Sequence, residues 1–234
     1  MNYIVCSSPR SGSTLLSQAL VTMGAGNPGE YLNPALMAQR EHGGLDRFMQ
    51  PTPTVYVERI RQEQTVNGVF GIKTHYKDLM RYPEIGNNVS GLFSHAKYIS
   101  ITRRNVLRQA LSAARAAQTM AWTSRLPEGK KPRFHFGAVL KHVIHTLREI
   151  ELWDRFYSAN GIRPLRVVYE DLEEDYDGTM ERVVAFLGVA GTIPRPPLKK
   201  QADATTDEWA DRFIQTFKGG GVISRAVRVA TRRW

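Results

Sequence analysis

Four short apolar runs divide this chain, and stretches with helical spacing alternate with them. Tyr3-Ile4-Val5-Cys6, Val66 to Thr74 (VNGVFGIKT), His95 to Thr102 (HAKYISIT) and Leu165 to Tyr169 (LRVVY) read as buried parallel strands. After the first, Leu15, Leu16, Ala19 and Leu20 fall on one helical face, with Ser13 and Thr14 as N-cap chemistry. After the third, Val106, Ala110, Ala113 and Ala117 form one stripe of a long helix. Phe136 to Ala159 is the clearest amphipathic helix, with Val139, Leu140, Val143, Ile144, Leu147, Ile150 and Leu152 mostly on one side. Gly161 ends it. After the fourth strand Glu170-Asp171-Leu172 opens an acidic turn into a helix from Gly178 to Leu187, and Asp207 to Phe217 forms an acidic and aromatic helix. This order predicts a three-layer α/β fold, a central parallel sheet flanked by helices, in a single domain over 1–234.

The breaks are as informative as the runs. Ser7 to Gly12 turns the chain between the first strand and its helix. Gly24 to Pro34 (GAGNPGEYLNP) is a loop with one carboxylate, Glu30, next to Tyr31. Residues 35–63 carry helical patches broken by Gly43-Gly44, Pro51 and Pro53, and Thr123 to Pro132 is a polar, basic loop suited to lie over a site. The segment 222–234 alternates Arg with Val, Ala and Ile and has no acid. It suits an arm for an anionic surface or, the favoured reading, a basic helix that closes the fold.

Composition narrows the partners. The 234 residues carry a net charge of +10, which fits an anionic ligand: a phosphorylated cofactor, an acidic glycan or lipid surface, or nucleic acid. The one cysteine, Cys6, lies inside the first strand, so no disulfide framework exists, and a reducing, cytoplasmic setting is expected. Residues 1–20 lack the regions of a signal peptide, and no apolar run reaches the roughly 20 residues that span a bilayer.

The chemistry starts at PRSGST, Pro9 to Thr14. A strand, a tight loop and a helix aim backbone N–H groups and a helix dipole at one spot, which suits a phosphate. Arg10 adds a fork of donors, and Ser11, Ser13 and Thr14 add hydroxyls beside Gly12. The nucleotide P-loop needs G-x-x-x-x-G-K-[ST]; here Arg10 precedes the Gly and no Lys follows it. Lys73 and His75 stand at the end of the second strand, and Arg103-Arg104 with Ser112 follow the third, where open α/β sheets bind ligands. Together they suit a nucleotide phosphorylated on its 5′ chain and on its ribose. His142 and His145 share a helix, but no Cys or carboxylate cluster completes a metal site, and no metal is expected.

SSPRSGSTLL, GNPGEYLNP, FGIKTHY, ITRRNVLRQALSAARAAQT, VVYEDL and QADATTDEWADRF, in that order, resemble the sulfotransferases that use 3′-phosphoadenosine 5′-phosphosulfate (PAPS). Within them the chain is similar to the bacterial carbohydrate group, which holds the trehalose 2-sulfotransferases and the nodulation-factor and lipopolysaccharide sulfotransferases. The resemblance implies a P-loop-like fold in which Arg10, Ser11, Gly12, Ser13 and Thr14 hold the 5′-phosphosulfate. It gives the 3′-phosphate to Arg103 or Arg104, with Ser112. It makes Glu30 the candidate base for the acceptor hydroxyl, with His75 in reserve and Lys73 on sulfo or phosphate oxygens. Lys200-Gln201 stand where the family has an Arg-Gln pair that closes over the nucleotide. Glu170 and Asp171 are read as structural, Trp153 and Trp209 as core or interface, and Trp122 as the tryptophan to test for sugar stacking.

The implied acceptor is a hydroxyl of a carbohydrate or glycolipid. Nucleic acid is not expected as a partner; a homodimer, and peripheral membrane contact through the basic C-terminus, are the other partner readings. The rival functions are an ATP-dependent phosphotransferase, which the missing Walker lysine disfavours, and a non-catalytic binder of anionic lipid or nucleic acid. The binder lacks a base-stacking aromatic ladder.

Overall fold

A computed structural model describes residues 1–35, 52–82, 89–93, 95–122, 131–196 and 204–219. The chain divides into two compact units, Met1–Thr102 with Glu149–Pro197, and Arg103–Arg148 with Leu198–Trp234.

Among the described residues the first unit is built on four parallel strands: β1 (Asn2–Ser7), β2 (Phe70–His75), β3 (Lys97–Thr102) and β4 (Leu165–Val168), in the order β2-β1-β3-β4. Successive strand residues face opposite ways, and the cores follow that period of two. Ile4 and Cys6, with Phe70, Ile72 and Tyr98, pack against Tyr56, Val57 and Ile60 of α2 (Pro53–Gln64) and against Trp153, Phe156 and Tyr157. Tyr3 and Val5, with Ile99, Ile101 and Val167, face Leu16, Ala19 and Leu20 of α1 (Ser13–Thr22), and Met180, Val183 and Leu187 of α8 (Tyr176–Leu187). Helices therefore cover both faces of the sheet, which is the expected three-layer arrangement. β1 lies between β2 and β3, so the chain leaves it first to one side and then to the other. That reversal makes the carboxyl end of β1 a switch point, where α/β sheets open a crevice.

Among the described residues the remaining helices of this unit are, in chain order, α3 (Tyr76–Leu79), α4 (Val89–Leu92), the part of α6 (Phe136–Ala159) from Glu149 onward, and α7 (Tyr169–Glu174). In the second unit α5 (Val106–Thr119), α9 (Ala204–Lys218) and the start of α6 share a core of Ala110, Leu111, Ala114, Val139, Leu140, Trp209 and Phe213.

Several local expectations change. The second strand starts at Phe70, not Val66, because Asn67 and Gly68 take φ of 51° and 72° and close a two-residue turn in which Val66 and Val69 exchange N–H···O bonds. Pro53 begins α2 rather than breaking a helix: its missing N–H is no loss at a first position, and Thr52 Oγ1 accepts from Val55 N (3.4 Å) as the cap. Ser13 and Thr14 do not cap α1; Gly12 does, in the left-handed region with no side-chain bond. Tyr169 leaves the fourth strand to start α7, whose first turn holds Glu170 and Asp171, at the dipole end that favours acids. The alanine stripe of α5 also shifts: Ala110 and Ala113 are buried as expected, but Ala117 is exposed while Leu111, Ala114 and Ala116 are buried. On α6, Ile144 and Leu147 are exposed.

Candidate active site

The loop Ser8 to Gly12 leaves β1 at the switch point. Ser11 N donates to Ser8 O (3.3 Å), closing a turn, and Arg10 takes φ of 65°, a value uncommon outside glycine. Gly12 follows at φ 91°, and a Cβ placed on it would stand 2.3 Å from Cδ2 of Tyr169. The ring of Tyr169 therefore lies against the loop backbone where only glycine leaves room. α1 starts here with no side-chain cap and no acid in its first turn, so its leading N–H groups keep their positive potential for a ligand. Ser11 is fully buried, and its Oγ has no hydrogen-bond partner. An uncapped helix terminus and a buried hydroxyl without a partner suit an anion seated on PRSGST.

Beside the loop, three titratable side chains converge through backbone pairing rather than sequence proximity. Gly29 forms an isolated parallel bridge with Ile72, and Lys73 N donates to Gly29 O (2.9 Å), so the Gly24–Pro34 loop runs along the free edge of β2. That places Glu30 opposite Lys73 and His75, which share a face of β2 at i, i+2. Lys73 Nζ lies 2.9 Å from Glu30 Oε1 and donates to Thr14 Oγ1 (3.1 Å). The lysine thus bridges the carboxylate to the first turn of α1. His75 Nε2 stands 3.8 Å from the same Glu30 oxygen. Asn33 Nδ2 donates to Glu30 Oε2 (3.4 Å).

The electrostatics follow from this geometry. Burial pushes the Glu30 carboxyl up, but the charges of Lys73 and His75 and the hydrogen bonds from Lys73 and Asn33 outweigh it, leaving the group below its ordinary value. Glu30 is therefore a carboxylate at neutral pH. His75 is held below its usual value, chiefly by burial and in smaller part by Lys73, against the pull of Glu30, Ser7 and Asp78. It is neutral at neutral pH. Of the three side chains Glu30 is the most open, at 25% exposure against 9% for each of the others.

In the second unit Arg103 and Arg104 directly precede Asn105, whose Oδ1 accepts from Arg108 N (3.0 Å) and caps α5. Ser112 lies half-buried two turns into that helix. Arg115 NH1 donates to Thr206 Oγ1 (3.1 Å). Trp153 and Trp209 are buried, as expected of core residues, whereas Trp122 is exposed. Lys200, Gln201, the loop 123–130 and the segment 222–234 lie outside the described residues. Among the described residues no group of three His, Cys, Asp or Glu is arranged to hold a metal ion, and no helix is long and apolar enough to cross a membrane.

The Glu30–Lys73 pair had no local signal, because it depends on a bridge between residues 43 positions apart in the chain. The approach of Tyr169 to Gly12 was equally hidden, although VVYEDL marked the segment.

Comparison with known proteins bears on the family and the fold. The family model of the Stf0 sulphotransferases matches residues 2–216. The trehalose 2-sulfotransferase of Mycolicibacterium smegmatis is 30% identical over 259 aligned residues, covering 94% of this chain and 97% of that protein. The trehalose 2-sulfotransferase of Mycobacterium tuberculosis is 29% identical, covering 90% of this chain and 93% of that one. Among solved structures, the sulfotransferase domain from the curacin biosynthetic pathway aligns with a TM-score of 0.51 at 16% identity, over 98% of this chain and 96% of that one. That likeness bears on the fold.

Proposed function

The chain belongs to the Stf0 sulphotransferase family and is a sulfotransferase; from that premise we propose that it moves a sulfuryl group from PAPS to a hydroxyl of a carbohydrate or glycolipid. The observation that carries the proposal is the Glu30–Lys73–His75 cluster beside an uncapped, arginine-bearing strand-to-helix loop. An anion seat and an ionised carboxylate stand side by side, linked by one lysine.

PAPS supplies an activated sulfuryl group whose bridging oxygen takes up charge as it leaves. Arg10 and the N–H groups of Gly12 to Thr14 stabilise that charge, since donors fixed in advance need no reorganisation during reaction. Arg10 stays cationic throughout, so it acts as an electrostatic clamp rather than an acid. Lys73, already donating to Thr14, reaches the sulfo oxygens from the β2 side. Glu30 takes the acceptor's proton. A sugar hydroxyl is a weak acid, so transfer comes late, when the new O–S bond has made that proton acidic and a carboxylate of lowered pKa suffices. The proposal gives the 3′-phosphate to Arg103 or Arg104 with Ser112, and closure over the nucleotide to Lys200 and Gln201, on the strength of the family resemblance. It calls on no metal, because the sulfuryl group carries less negative charge than a terminal phosphate. It also takes residues 1–234 as one cytoplasmic sulfotransferase domain able to dimerise, with 222–234 as a basic C-terminal extension.

Trehalose is the first acceptor to test, since both mycobacterial relatives are named for it. Incubation with PAPS labelled in the sulfo group should place label on trehalose or on a lipid-linked sugar. A panel of sugars and glycolipids left unlabelled, with label released only as free sulfate, would overturn the acceptor class.

Lys73→Met should shift the pH profile. The lysine's charge helps hold the Glu30 carboxyl down, so its removal leaves burial less opposed and the carboxyl rises. Activity needs the ionised form. The acidic limb of kcat/KM should therefore move to higher pH, and an unmoved limb would show that it belongs to another group.

A further inference from the structure

One face of α6 holds the backbone on both sides of the His75 ring. Ser7 and His75 are register partners across β1 and β2, and His75 Nδ1 lies 3.0 Å from the Ser7 carbonyl oxygen and 3.3 Å from Ser7 Oγ. A carbonyl only accepts, so Nδ1 carries the proton, and the lone pair of the neutral ring falls to Nε2. That nitrogen is the one on the side of Glu30 Oε1. The Ser7 carbonyl accepts a second bond, from Trp153 Nε1 (3.2 Å). One turn earlier on the helix, Glu149 Oε2 accepts from the backbone N–H of Tyr76 (3.1 Å), the peptide directly after His75. The Tyr76 ring is in turn set edge-on against Trp153, with centroids 5.5 Å apart. Glu149 and Trp153 are 3% and 4% exposed, so neither faces a ligand or solvent.

We propose that Glu149 and Trp153 are positioning residues that hold His75 with its proton on Nδ1 and its Nε2 lone pair turned toward Glu30. Trp153 fixes the carbonyl that selects the tautomer, and Glu149 fixes the peptide that sets where the imidazole leaves the strand. Two acceptors, Glu30 Oε1 and His75 Nε2, then face the place from which the acceptor's hydroxyl proton is drawn. A buried carboxylate is a costly way to tie down one turn of helix. Spending it beside the catalytic strand end gives it a use that packing alone does not. The kinetic part of this role rests on the proposed function; the tautomer does not.

The test is a long-range nitrogen–proton correlation spectrum of the histidine rings in nitrogen-15-labelled full-length protein, with no donor or acceptor added. Wild type should show His75 protonated at Nδ1. Trp153→Phe keeps an aromatic ring against Tyr76 but deletes the N–H, and should give a mixed or Nε2-protonated ring. Glu149→Gln keeps an acceptor for the Tyr76 N–H and should retain the wild-type pattern, whereas Glu149→Leu should lose it. Should Glu149→Leu fail to fold, Trp153→Phe decides. In the transfer assay Trp153→Phe should lower kcat by about ten- to a hundredfold, the size expected of an outer group that orients a reacting one, with KM for PAPS unchanged. Nε2 protonation in wild type, or an unaltered His75 signature in Trp153→Phe, would overturn the proposal. The expected tautomer pattern in a protein that transfers no sulfuryl group would leave the positioning standing and remove the proposed function instead.

Discussion

Glu30→Gln is expected to lower kcat by about 10²- to 10⁴-fold, the usual worth of a positioned general base, while the affinity for adenosine 3′,5′-bisphosphate stays near wild type. The amide nearly matches the carboxylate in shape, so the Gly24–Pro34 loop keeps its bridge to β2 and Lys73 keeps an oxygen to contact. What is lost is a site for the proton. The pairing of effects matters, because a variant that lost both turnover and nucleotide binding would mark Glu30 as a brace for the loop. Comparison with a His75 variant separates the two candidate bases. If His75→Asn loses as much as Glu30→Gln and the double variant loses no more, the two act as one unit. If Glu30→Gln retains most of kcat, the base is elsewhere.

Gly12→Val is expected to weaken nucleotide binding by about a hundredfold. Two independent costs act there. A φ of 91° is a strained conformation for any side chain with a Cβ, costing of the order of 1–3 kcal/mol, and the new atom would stand 2.3 Å from the Tyr169 ring. The loop must then leave the geometry that aims its N–H groups at the anion, and about 2.7 kcal/mol corresponds to a hundredfold. Gly12→Ala combined with Tyr169→Ala divides the terms. Deleting the ring removes the collision but not the backbone strain, so binding should return in part relative to Gly12→Ala alone. Full recovery would put the whole effect on the ring. Wild-type binding in Gly12→Val would show that the loop is not the anion seat.

Much of this was legible from residue order. Four apolar runs separated by helical patterns gave the parallel sheet, and PRSGST between a strand and a helix marked the loop. The misplacements share a cause, competition between neighbouring local signals. Asn67-Gly68 is a strong two-residue turn hidden inside an apolar run, so β2 begins at Phe70. Ser13 and Thr14 are good capping residues, but Gly12 takes the cap because the left-handed turn needs it there, and this frees the helix end for a ligand. The relation of Glu30 to Lys73 could not be read from spacing, because one parallel bridge between a loop and a strand edge creates it. The resemblance of GNPGEYLNP and FGIKTHY to a family named both residues; only the fold shows that they touch. His75 is the clearest case. Its sequence context offers a reserve base, whereas the Ser7 carbonyl and the Trp153 indole, 146 residues apart, determine which nitrogen is basic.

On the proposed function, PRSGST and the arginines after β3 bind the nucleotide of a sulfuryl donor. Calorimetric titration with adenosine 3′,5′-bisphosphate, beside ATP with magnesium, tests it on wild type, Arg10→Ala and the double variant Arg103→Ala/Arg104→Ala. Tight binding of the bisphosphate, clear weakening in both variants, and no comparable binding of ATP are expected. A preference for ATP, or indifference to both nucleotides, would contradict it and return the loop to a phosphotransferase or an anion-binding protein.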